Sequence, residues 1–317
     1  MPEKAVSAAA ERIQRLVDGV SRVFVSKPEV VTLAVTTLLA RGHLLIEDVP
    51  GIGKTLLGVA LAHGLSVSFK RIQFTNDLLP SDILGLSVFN QRDTQFEFKP
   101  GPIFSHVVLA DEINRSTPKT QSALLEAMND LQVTIDGKTH ALPEPFLVIA
   151  TQNPVEYHGT FPLPEAQLDR FLMRLHIGYP GREDAKRILR EKDLAAQLKD
   201  MAPAMTREEV VELQRQAEEV SVDDALLDYI VRLAEATRTH KAFKLGLSPR
   251  GSLALSRAAR AYALVHGRDY CVPDDIKTVA VPVVAHRTLL DSSLYGVARI
   301  AEAEEAVASV FRSVAAP

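Results

Sequence analysis

Through the first half of the chain, short apolar runs alternate with longer stretches of helical spacing. "HLLIED" is a compact apolar run ending in two acids, and it reads as a buried strand. "TLLGVALAHGL" follows with helical spacing. "FKRIQF" gives a second strand, the strongly apolar "HVVLADE" a third and "FLVIATQNP" a fourth. Upstream, Pro28 suits the first turn of a helix and Gly42 suits its C-terminal cap. Strands that alternate with helices predict a parallel sheet covered by helices on both faces, an α/β fold.

Two segments interrupt this rhythm. "LSVFNQRDTQFEF" has two β-prone arms around a polar turn near Asn90, and "QVTIDGKTHAL" has two arms around Asp136-Gly137. An Asp-Gly pair between such arms is a strong hairpin signal, so both segments are expected to be hairpins inserted into the α/β core. The character changes near "GYPGRED", whose Pro and Gly mark a connector. From Asp184 onward the spacing is almost wholly helical, with one helix beginning at Pro273-Asp274-Asp275. The expected division is an α/β unit over residues 1–180 and a smaller all-α unit over 181–317.

The bulk numbers narrow the function classes. Hydrophobic residues make up 46% and charged residues 24% of the 317, ordinary for a globular protein. A formal net charge of −4 gives no global attraction to nucleic acid or to an anionic membrane. One cysteine, Cys271, excludes an internal disulfide and fits a reducing compartment. The N-terminal segment reads as an amphipathic helix interrupted by Glu3, Glu11 and Asp18, not as a signal peptide. The apolar stretch Val30 to Ala40 is too short for a membrane span, which needs about 20 residues. A cytoplasmic protein without membrane insertion is expected.

The glycine-rich turn after the first strand carries the clearest chemistry. In "DVPGIGKTL", Gly51 and Gly53 permit positive φ and close approach of the backbone to a ligand, and a helix starts near Lys54. Residues Pro50, Gly51, Ile52, Gly53, Lys54, Thr55 and Leu56 are therefore expected to cradle phosphate, with Lys54 on the β- and γ-phosphates and the Thr55 hydroxyl on Mg²⁺. Asp48 occupies the first glycine position of the usual pattern. Aspartate tolerates unusual turn geometry. Against this stands a turn that caps a helix and binds nothing.

Four further positions have the chemistry of nucleotide hydrolysis, each with a plainer alternative. Asp111 and Glu112 close an apolar strand. The first can hold Mg²⁺ through water and the second can orient or deprotonate an attacking water, or both can be exposed acids. Asn153 could hydrogen-bond the γ-phosphate and that water, but taken alone it is better read as an Asn-Pro turn. Arg170 could stabilise charge on the γ-phosphate, or form a surface pair with Asp169. Arg250 begins a helix, where the dipole disfavours a cation unless an anion lies opposite.

In this order, these elements resemble an AAA+ ATPase. The strings "QFTNDLLPSDILG", "FEFKPGPIF", "LADEINRSTPKTQSALLEAM" and "ATQNPVEYHGTFPLPEAQLDRFL" look like the MoxR family of AAA+ proteins. The resemblance runs from about Val23 to Leu290. It implies a P-loop core with two inserted hairpins and a helical lid, and ATP as the nucleotide. It assigns Gly51, Gly53, Lys54 and Thr55 to the Walker A loop, and Asp111 and Glu112 to Walker B with Glu112 as general base. Asn153 becomes sensor 1, Arg170 an arginine finger acting on the neighbouring subunit's nucleotide, and Arg250 a sensor 2 that moves with the lid. An acid at position 48 is familiar in such loops. The resemblance further implies a homo-oligomer, a hexameric ring, and a chaperone-like remodelling role. Its clients would be partner proteins such as von Willebrand A domain proteins or metalloenzymes.

A ring-shaped DNA motor is the competing expectation. It needs basic residues and stacking aromatics. The hairpins offer only Lys138 and His140, and Arg92 and Lys99 offset by Asp93 and Glu97, which favours a protein client over nucleic acid. Leu78, Leu79, Ile83 and Leu86 are expected in the core.

Overall fold

A computed structural model describes residues 3–25, 27–49, 51–92, 94–153, 159–190, 194–292 and 296–317. In chain order the first unit contains α1 (Glu3–Val23), α2 (Pro28–Leu39), β1 (Leu44–Glu47), α3 (Lys54–Gly64), β2 (Phe69–Gln73) and α4 (Pro80–Leu84). The hairpin β3 (Gly85–Asn90) and β4 (Gln95–Pro100), β5 (Val107–Asp111) and α5 (Pro118–Asp130) come next. A second hairpin, β6 (Gln132–Ile135) and β7 (Lys138–Ala141), precedes β8 (Leu147–Gln152), α6 (Glu165–Leu168) and β9 (Met173–Leu175).

Five strands form one sheet in the order β2-β5-β8-β1-β9, and every pairing in it is parallel. Alternation along the strands sends side chains to two cores. Leu44, Ile46, Leu109 and Ile149 face α1, α2 and α3. Leu45, Val108, Ala110 and Val148 face Ile83, Leu124, Leu125 and Met128 of α4 and α5. A parallel sheet buried on both faces is what the continuous apolar runs require.

The second unit holds α7 (Arg182–Arg190), α8 (Leu194–Asp200), α9 (Arg207–Glu219), α10 (Asp224–Thr239), β10 (Phe243–Leu245), α11 (Pro249–Val265), α12 (Pro273–Val284), β11 (Leu289–Leu290) and α13 (Gly296–Ser313). Local signals set its helix starts. Thr206 and Glu209 form a reciprocal capping box on α9, and the Ser248 side chain accepts from Gly251 N–H at the start of α11. β10 and β11 pair antiparallel, a ribbon within the helical unit that its sequence does not announce. We place the division between the units after β9, near Gly178. The helices α1 and α2 pack into the same core as α9 and α11, so the N-terminal helices bridge the two units.

Two local readings change. Helix α2 ends with Arg41 in the left-handed region (φ 50). Gly42 is needed for packing instead, since a Cβ there would sit 2.4 Å from Leu172 Cβ. Ile83 is fully buried and Leu78 packs on the core, but Leu79, just before α4, and Leu86, within the β3–β4 hairpin, are exposed. Cys271 is buried, and burial pushes its thiol pKa up to about 12, which keeps it protonated. Among the described residues no helix is long and apolar enough to cross a membrane.

Candidate nucleotide site

All five strands run the same way, so the residues that follow their carboxyl ends share one edge of the sheet. Asp48 follows β1, Asp111 and Glu112 end and follow β5, and Asn153 follows β8. The loop from β1 to α3 passes across this edge. Gly51 and Gly53 both have positive φ (85° and 92°), a conformation only glycine adopts freely. Pro50 lies outside the described residues. Thr55 and Leu56 lie in the first turn of α3, and Ile52 and Leu56 press their side chains against the core, which fixes the angle of the helix start. The backbone N–H groups of that start have no partner within the helix and are available to an anion.

Lys54 is buried at this edge. Its Nζ donates to the carbonyls of Asp48 at 2.6 Å and Gln152 at 3.4 Å. Burial lowers its pKa, and the charges of Asp48, Asp111 and Glu112 oppose that shift. A lysine held by neutral carbonyls among acids keeps donors that an anion at this edge could take over.

The acids are themselves held. Asp111 Oδ1 accepts from Thr151 Oγ1 at 2.6 Å, and Oδ2 accepts from Arg71 Nε at 3.1 Å and Nη2 at 2.6 Å. Glu112 has left-handed backbone geometry (φ 57), stabilised by its N–H donating to Thr151 Oγ1 at 2.8 Å. Its Oε2 accepts from Gln73 Nε2 at 3.0 Å and lies 3.2 Å from Arg115 Nη1. Asn153 is buried at the end of β8 beside these groups. Arg71, Gln73 and Thr151 were not among the expected site residues. A signal for the first two was present, because alternation in "FKRIQF" puts Arg71 and Gln73 on one side of a strand that neighbours β5.

Arg170 and Arg250 stand elsewhere. Arg170 precedes β9 at the amino edge of the sheet, and its Nη1 donates to the Leu125 carbonyl at 2.5 Å. Arg250 lies with it in a cavity of about 710 Å³ that also includes His43, the residue before β1. Arg250 Nε is 3.4 Å from Asp169 Oδ2, and its Nη2 donates to Asn129 Oδ1 at 3.3 Å. The structure therefore brings Lys54, Asp111, Glu112 and Asn153 together and gathers Arg170 with Arg250. It does not bring the two groups together within one chain. Asp169 pairs with Arg250 and with Arg287, whose Nε is 2.8 Å from Asp169 Oδ1. The Arg287 side chain is buried and also donates to the carbonyls of Phe171, Leu172 and Val283, locking the end of α12 to the start of β9.

The two hairpins meet through Phe98, which stacks on His140 with ring centroids 4.1 Å apart. Beyond that contact Phe89 and Phe96 pair edge to face at 5.3 Å and remain exposed, with Phe96 at 71%.

Residues 43–173 match the family model described as "ATPase family associated with various cellular activities (AAA)", and residues 235–308 match the AAA lid domain. The chain is 48% identical over 305 residues to the uncharacterized protein YeaC of Bacillus subtilis, covering 96% of this chain and 94% of that one. It is 40% identical over 297 residues to Chaperone MoxR1 of Mycobacterium tuberculosis, covering 90% of this chain and 78% of the relative. The crystal structure of a proposed ATPase from Cytophaga hutchinsonii superimposes with a TM-score of 0.89 at 36% identity, over 99% of this chain and 98% of that one. An α/β core with a phosphate-type loop, two inserted hairpins, a helical lid and these relatives agree: the chain belongs to the MoxR family of AAA+ ATPases.

Proposed function

We propose that this chain binds ATP and Mg²⁺ at the carboxyl edge of its sheet and hydrolyses ATP when a neighbouring copy supplies Arg170 and Arg250. We propose further that the cycle remodels or matures a client protein. The observation that supports this reading is the division of the machinery between opposite edges of one sheet. Lys54, Asp111, Glu112 and Asn153 lie at the carboxyl edge, while Arg170 and Arg250 lie at the amino edge. The arginines at the carboxyl edge, Arg71 and Arg115, are paired with Asp111 and Glu112, so a cradle at one end and the Arg170–Arg250 pair at the other are complementary between copies.

The residues fit these groups. The Gly51–Gly53 turn and the N–H groups of α3 suit a polyphosphate, and Lys54 suits its β- and γ-oxygens. The Thr55 hydroxyl and the Asp111 carboxylate are hard oxygen donors of the kind Mg²⁺ takes. Both Asp111 oxygens already accept hydrogen bonds, from Thr151 and Arg71, which favours contact through water. The cation, when bound, neutralises charge on the phosphate oxygens. Glu112 accepts the proton of the attacking water as its oxygen bonds to the γ-phosphorus and the bond to the β-bridging oxygen breaks, releasing ADP and phosphate. Asn153 orients that water. Arg170 and Arg250 of the adjoining copy stabilise the charge that develops, an effect worth roughly 10³–10⁵ in rate in other NTPases.

The exposed Phe89–Phe96 tip favours a protein client, and the name of the Mycobacterium relative, a chaperone, points the same way. The test separates binding from turnover. Lys54→Ala weakens ATP binding, Glu112→Gln traps ATP, and Arg170→Ala retains binding but loses hydrolysis. Full-rate hydrolysis by a strictly monomeric preparation would overturn the arrangement.

A further inference from the structure

The cavity at the amino edge has more positive charge than two arginines. Arg41, Arg170, Arg250, Arg257, Arg260 and Arg287 line it against only two carboxylates, Asp169 and Glu218, in a chain of net charge −4. Both carboxylates are engaged. Asp169 holds Arg287 and Arg250, and Glu218 holds Arg41 at 3.0 Å. Arg287 is saturated by carbonyls, and Arg260 donates to the Glu218 carbonyl at 2.9 Å while its Nε is enclosed without a partner.

Arg257 differs from these. It is exposed, and its hydrogen bonds among the described residues use Nη2 alone, to the carbonyls of Ala40 at 2.7 Å and Arg41 at 3.3 Å. Its Nε and Nη1 make none there. Arg257 lies seven residues after Arg250 on α11, two turns and about 10 Å along the axis, on the same face of the helix. Leu253 sits between them on that face and is 67% exposed. Partial desolvation lowers the Arg257 pKa, Glu218 opposes the shift, and the charges of Arg250 and Arg41 reinforce it. Such a concentration of like charge is relieved by an anion. Two guanidinium stems spaced along a helix suit an extended polyanion better than a single phosphate group.

We propose that Arg257 is a third arginine of this face and contacts, alongside Arg170 and Arg250, the triphosphate held by the neighbouring copy of this chain. The inference rests on the cross-subunit reading above and extends it to a residue outside the sensor 2 position.

Subunit mixing tests it. Arg257→Gln keeps a donor for the Ala40 carbonyl but removes the charge, and Arg257→Lys keeps the charge. Arg257→Gln is expected to lower turnover at saturating ATP at least tenfold, to leave ATP binding by the isolated subunit unchanged, and to be partly rescued by Arg257→Lys. Mixed with Lys54→Ala subunits, Arg257→Gln subunits should regain activity, because their intact cradles then face an intact Arg257. Lys54→Ala mixed with Arg170→Ala is the reference. If the reference mixture regains activity and the Arg257→Gln mixture does not, Arg257 acts only within its own chain and the inference is lost while the cross-subunit reading stands. If neither mixture regains activity, the cross-subunit reading fails as well. Unchanged turnover in Arg257→Gln also overturns the inference.

Discussion

The carboxylate of Asp48 accepts the backbone N–H of Gly178 at 2.6 Å through Oδ2 and that of Val49 at 2.9 Å through Oδ1. The residue that replaces the first glycine of the loop is thus a tie between the loop's entrance and the connector that leaves β9 for the helical unit. Glycine could turn the chain here but could not bind the connector. We expect Asp48→Ala to orphan both N–H groups and to cost about 1–3 kcal/mol, read by urea denaturation, together with weaker ATP binding read by calorimetry. Asp48→Asn, which keeps one acceptor oxygen, should recover part of both. Equal stability and affinity in the Ala variant would refute the tie.

Two buried histidines make the fold sensitive to acid. His43 Nδ1 accepts from the Val148 N–H at 3.1 Å, so Nε2 carries the proton shared with the Met128 carbonyl at 3.1 Å, and the ring is neutral. Burial lowers its pKa from 6.5 to about 4, with the Met128 hydrogen bond opposing and Arg257 contributing in the same direction as burial. The unfolded chain therefore binds a proton below pH 6.5 that the folded chain does not accept until pH is near 4. Stability is full above the unfolded value and falls through that window by on the order of 3 kcal/mol. His286, also buried and lowered, adds to the slope. Denaturation at a series of pH values should show a shallower dependence between pH 6.5 and 4 for His43→Phe than for the parent. Identical slopes would show that His43 does not contribute.

The exposed aromatic tip predicts a separation of functions. Phe89→Ser with Phe96→Ser should leave stability within about 0.5 kcal/mol, since neither ring is in the core, and should leave basal ATP turnover unchanged. In the Glu112→Gln background the same changes should reduce client retention in a pull-down. Retention at the parental level would remove the tip from the client surface.

How much of this was legible beforehand follows from the range of each interaction. Strands such as Val107–Asp111 and Leu147–Gln152, and the loop carrying Lys54, declare themselves over a few adjacent residues. The strand Met173–Leu175 does not, because three residues carry no periodicity and its pairing to β1 depends on chain more than a hundred residues earlier. The same holds for β10 and β11, which are short and pair across more than forty residues of sequence. Candidate residues such as Lys54, Asp111, Glu112, Arg170 and Arg250 could be singled out in the sequence, but their grouping could not, and Thr151 could not be singled out at all. Arg250 could be seen to want an anion at its helix start. That it stands beside Arg170 and far from Lys54 comes from the packing of α11 on α2 and the anchoring of Arg287 to Asp169.

Placing Lys54 and the Arg170–Arg250 pair at opposite edges of one sheet gives the proposed contact a direction. A contact of one edge with the opposite edge of the next copy is heterologous, and repeating it builds either a closed ring or an open string. A linear string of copies always leaves one cradle without a neighbour's arginine pair and one arginine pair without a cradle, and closing the string into a circle removes both ends. Shape thus sets a threshold: total ATP turnover should climb faster than protein concentration until circles close, and then in proportion to it.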